Sequence, residues 1–76
     1  MEMRAEVKNG EICLFYDQPD GIKNYPVGLD QVDSQEKLLG MIVHLTRKAW
    51  VTRKHISDLI HLVNEHNNMN IDFDKL

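Results

Sequence analysis

Seventy-six residues, 42% of them apolar and 28% charged, describe one small globular domain and exclude a disordered or membrane-spanning composition. A net charge of −3 gives no general attraction to nucleic acid, although Arg47, Lys48, Arg53, Lys54 and His55 gather within nine residues. The single cysteine, Cys13, excludes an internal disulfide; with a start, "MEMRAEVKNG", that lacks the layout of a signal peptide, it points to a reducing cytoplasm.

The first 29 residues predict a three-stranded antiparallel meander. Asn9-Gly10 supplies the two positive-φ positions of a type I′ hairpin turn. The resulting register pairs Lys8 with Glu11, Val7 with Ile12, Ala5 with Leu14 and Met3 with Tyr16, and it gathers these apolar side chains on one face. Arg4, Glu6, Lys8, Glu11, Cys13 and Phe15 fall on the other. "DQPDGI" predicts the second turn, with Gln18 to Gly21 as the loop, Leu14 facing Tyr25 and Ile12 facing Val27. Pro26 has no N–H for a ladder and assigns the third strand to an edge.

Residues 33–68 predict a helical hairpin. Asp33 and Glu36 have capping-box spacing, which starts a helix near Ser34. Leu38, Ile42, Leu45 and Ala49 form its apolar stripe; Leu39, Val43 and Trp50 widen it. Gly40 costs a helix interior about 1 kcal/mol relative to alanine, which suggests close packing against a neighbour. A second helix runs from about Arg53 to His66, with Ile56, Leu59, Ile60 and Val63 at core spacing. Asn67-Asn68 is a left-handed stop, and residues 69–76 form a tail that either docks or frays. The order βββαα, with both helices on one face of the sheet, is an α+β arrangement in a single domain over 1–76.

"LTRKAWVTRKHISDLI" (45–60) has two readings. Leu45, Ala49, Val51, Ile56 and Leu59 sit where a helix-turn-helix buries residues, and Arg53, Lys54, Ser57 and His61 would then face DNA. Against this, Trp50 stands where that turn favours glycine, no separate preceding helix exists, and Asp58 lies near the DNA face. The other reading is a capped corner between antiparallel helices. Thr52 is its N-cap, Val51 and Ile56 form a hydrophobic staple, and Trp50 seals the elbow. The corner accounts for the same residues without nucleic acid and is the leading reading.

No catalytic residue, metal ligand or cofactor is assigned. Asp58, His61 and Glu65 share a helix face, but no two histidines have helical ligand spacing, so this reads as a solvated polar face. Cys13 and the histidines have no spacing that brings a nucleophile to a base, and an enzyme is not expected. Surplus apolar surface is the more informative feature. Cys13 and Phe15 point away from the helices, and the first helix is apolar on two sides, which favours a protein partner or a second copy.

The segment "VDSQEKLLGMIVHLTRKAWVTRKHISDLIHLVNEH", about half the chain, resembles a type of small protein found in bacteriophages and other mobile elements. The resemblance carries over no functional residue. It implies a bacterial host cytoplasm and action by occupying a host protein's surface, as inhibitors of bacterial immunity such as anti-CRISPR proteins do. The expected function is therefore a non-enzymatic interaction module, an inhibitor of a host defence or regulatory complex. Arg4, Phe15, Arg47, Lys48, Trp50, Arg53 and Lys54 are the expected contact residues. A helix-turn-helix regulator and a self-associating assembly subunit are the alternatives, and no membrane contact is expected.

Overall fold

The computed structural model describes residues 4–72; the Met3–Tyr16 pair and Phe73 of the tail lie outside them. Strands β1 (Ala5–Lys8), β2 (Glu11–Gln18) and β3 (Gly21–Gly28) form a sheet of order β1-β2-β3, followed by a 3₁₀ turn (Leu29–Gln31) and helices α1 (Gln35–Leu45) and α2 (Arg53–His66). This is the α+β order read from the sequence.

Both hairpins have the expected registers. Asn9 (φ 54°) and Gly10 (φ 77°) make the first turn, and Ala5↔Leu14, Val7↔Ile12 and Lys8↔Glu11 pair across it. Gln18 pairs with Gly21, so the second loop is only Pro19-Asp20, and Gly21 takes the positive φ of 133°. Leu14↔Tyr25 and Ile12↔Val27 follow, and Pro26 sits on the edge strand. Alternation then sends Ala5, Ile12, Leu14 and Val27 into the core against Val32, Leu38, Leu45, Leu59 and Val63.

The first helix departs from expectation in four ways. Its N-cap is Ser34, whose hydroxyl accepts from the Lys37 N–H at 3.2 Å, while Asp33 instead ion-pairs with Lys37 Nζ at 3.0 Å. Two adjacent residues could cap, and the serine wins. The helix stops at Leu45, so Ala49 lies outside it and is exposed. Leu39 (37% exposed) and Val43 (57%) face solvent instead of widening the core stripe. Finally, a Cβ on Gly40 would meet nothing within 4 Å, so no close packing among the described residues explains the glycine.

Helix α2 is capped by Thr52 as expected and buries Ile56, Leu59, Ile60 and Val63. At its other end Asn68 (φ 54°) is left-handed, and the Asn67 amide donates to the carbonyls of Leu29 (3.0 Å) and Val32 (3.2 Å). The start of the tail docks: the Asn64 side chain accepts from the Ile71 N–H and donates to the Ile71 carbonyl, at 2.9 and 2.8 Å. No helix among the described residues is long and apolar enough to cross a membrane.

Candidate functional site: the corner at Trp50

The connection between the helices, Thr46–Thr52, brings the tryptophan under the sheet. Trp50 stacks on Tyr16 of β2 with ring centroids 4.1 Å apart and planes 13° from parallel. Tyr25 of β3 tilts against it at 5.8 Å, and His55 meets it edge-on at 5.3 Å. Tyr16 and Tyr25 stand on the helix-facing side of their strands because of the hairpin registers, so two turns far away in sequence position the platform that Trp50 covers. Lys48 Nζ lies 4.7 Å from the centre of the Tyr25 ring, in cation–π range, and the Tyr25 hydroxyl bonds His44 Nε2 at 3.2 Å.

His55 fixes this corner and was not anticipated. Its spacing from Thr52 is that of a capping box, with histidine in the place usually taken by Glu or Gln. The Thr52 N–H donates to His55 Nδ1 at 3.0 Å, and the His55 N–H donates to Thr52 Oγ1 at 3.4 Å. An acceptor at Nδ1 places the proton of the neutral ring on Nε2, which donates to the Phe15 carbonyl. One side chain that is 3% exposed thus caps a helix and ties it to the central strand. Both ring nitrogens are committed, which leaves neither available as a general base.

Asp58 ties α2 to the first strand. It is 4% exposed, and its carboxylate accepts from the Arg4 N–H at 2.7 Å and from Lys54 Nζ at 2.8 Å. The expected solvated face of Asp58, His61 and Glu65 therefore fails at Asp58. Its four-residue spacing from Lys54 signalled the ion pair, but nothing signalled the burial. His61 and Glu65 remain exposed and approach to 3.7 Å. Among the described residues no three His, Cys, Asp or Glu side chains gather as a metal site.

The expected contact residues divide into groups. Arg4, Trp50 and Lys54 meet in one groove of about 400 Å³, together with Tyr16, Asp17 and His55. Arg4 belongs by strand alternation to the open sheet face, yet its guanidinium reaches Asp17 at 3.5 Å beside this groove. Arg53 borders a second groove of about 360 Å³, between Ile42 and Thr46 of one helix end and Val51 and Ile56 of the other. Lys48 stands over Tyr25, and Arg47 is exposed at the start of the connection. Phe15 is half-buried on the opposite sheet face, separate from the corner, near exposed Ile22.

For the DNA-reading set, Arg53, Ser57 and His61 form one line on α2, with Ser57 half-buried and Lys54 held by Asp58. The seven-residue connection between α1 and α2 is longer than the three or four residues of a helix-turn-helix. Trp50 is not among the positive-φ residues, so the corner is not that motif's glycine turn made with a tryptophan. No acidic residue occurs in sequence between Glu36 and Asp58, but in space Asp17 joins Arg4 in the first groove and Asp58 pairs with Lys54, so Lys48, Arg47 and Arg53 supply the basic character of the corner. No protein-family model matches this chain, and neither a curated protein nor a solved structure matches it.

Proposed function

We propose that this chain is a non-enzymatic interaction module that docks its basic corner on an acidic surface of a host protein. The observation that carries the reading is convergence: Arg4, from the start of the chain, joins Trp50 and Lys54 in lining one groove, with Lys48 on the adjoining tyrosine. Arginine, tryptophan and tyrosine are the side chains that most often dominate binding energy at protein interfaces. Here the aromatic rings are already stacked and the helix end already capped, so less conformational freedom remains to be lost on association. The basic rim would steer an acidic partner toward the groove. Phe15 on the open sheet face is a second contact point in this reading. Following the resemblance to phage and mobile-element proteins, the partner belongs to a bacterial defence or regulatory complex, which binding inhibits in the host cytoplasm.

The test is capture of a bacterial lysate protein on the immobilised full chain. Lys48→Glu and Arg53→Glu are both at the corner and should each reduce capture of the same protein about tenfold or more, and added salt should weaken it. Capture unchanged by both substitutions would refute the corner as the contact surface. One observation favours DNA as a competing target: Arg53 and His61 are exposed on one line of α2. Retention of random duplex DNA that falls steeply with salt would replace the protein-partner reading with that one, through Arg53, Lys54, Ser57 and His61.

A further inference from the structure

Helix α1 has an outward line that the fold leaves uncovered: Glu36, Gly40, Val43 and, just beyond its C-cap, Arg47, all exposed. Leu39 flanks this line. Three features of the line have no explanation among the described residues. Val43 and Leu39 are large apolar side chains in solvent. Gly40 weakens the helix, yet a Cβ there would meet no atom within 4 Å among the described residues. Glu36 and Arg47 make no ion pair among the described residues.

The spacing of these residues makes the line complementary to itself when reversed. Glu36 and Arg47 share a midpoint with Gly40 and Val43, between Met41 and Ile42. We propose that α1 is the contact surface of a symmetric dimer, two copies packing antiparallel about a two-fold axis through that midpoint. Val43 of each chain then seats on the partner's Gly40, and Glu36 of each lies opposite the partner's Arg47. A two-fold contact requires this reciprocity, in which residue i meets j and j meets i. A missing side chain at the crossing lets two helices approach closely, which gives the glycine a use. The occupant is a second copy because charge and shape both match under reversal: an acid at one end, a base at the other, and one knob and one hole between. The seam is short and involves a single helix from each chain, so association is concentration-dependent.

The test is sedimentation equilibrium of the full chain over a wide concentration range, with circular dichroism verifying that each variant folds. The average mass should rise from the 8.9 kDa monomer toward twice that value. Val43→Glu, at an exposed position, should hold the chain monomeric. Glu36→Arg should weaken association about tenfold by setting like charges opposite one another, and adding Arg47→Glu to the same chain should restore it. The proposal is overturned by a monomer at millimolar concentration, by a dimer indifferent to Val43→Glu, or by a double charge exchange that fails to rescue.

Discussion

A single imidazole does three things at the corner: His55 caps α2, holds the Phe15 carbonyl and presents its edge to Trp50. Removing it takes the part-buried bonds from the Thr52 N–H and the Phe15 carbonyl and opens a void beside the indole. His55→Ala should therefore lower the unfolding free energy by about 2–4 kcal/mol. Thr52→Ala removes only the cap hydroxyl and should cost about 1 kcal/mol. Urea denaturation of the two variants distinguishes them; equal losses would mean that the histidine's bond to the sheet contributes nothing. The threonine was legible because N-caps have a short list of residue types. The histidine was not, because a capping box is usually recognised by Glu or Gln. Asp58 escaped for a related reason: its spacing from Lys54 suits an exposed helix pair, and only the path of β1, which brings the Arg4 N–H to it, puts the carboxylate inside.

Among the elements, the strands were read most accurately because two turns and one alternation agree. Asn9-Gly10 sets a register that places Ala5, Val7, Ile12, Leu14 and Tyr16 on one side, and only Cys13 and Phe15 among the apolar residues of β1 and β2 on the other. The helices were harder. Asp33 and Ser34 are both competent caps one residue apart, and no glycine or proline marks the end of α1. The end is local: the Thr46 hydroxyl donates to the Val43 carbonyl at 2.7 Å, and the Arg47 N–H turns back to the His44 carbonyl at 3.3 Å. Continuing the helical stripe to Ala49 overlooked that turn. Gly40 is the informative element-scale position. A Cβ there is free of clashes in one chain, so Gly40→Ala should raise the stability of the dilute protein by about 1 kcal/mol through helix propensity alone. Thermal melting at low concentration measures it. A loss of stability there would contradict the open space around Gly40.

For the whole molecule, the corner joins two layers that neither the sheet nor the helices could hold separately. Trp50 spans them, Asp58 and His55 pin α2 to β1 and β2, and Asn67 pins its far end to the 3₁₀ turn. Charge is also distributed at this scale. The acid-free stretch from Lys37 to Ser57 contains the basic corner, while most acids precede it in the sequence, a polarity that a net charge of −3 conceals. The composition suggested a partner-seeking protein, but the groove that gathers Arg4 with Lys54 arises from long-range packing, and no local pattern foretells it. The docking proposed for the corner gains from a surface formed before the partner arrives. The most direct test is a nuclear Overhauser spectrum of the free, dilute chain. The Trp50 indole should give strong cross-peaks to the rings of Tyr16, Tyr25 and His55. An indole with solvent-like shifts and no contacts to those three rings would contradict a preformed corner.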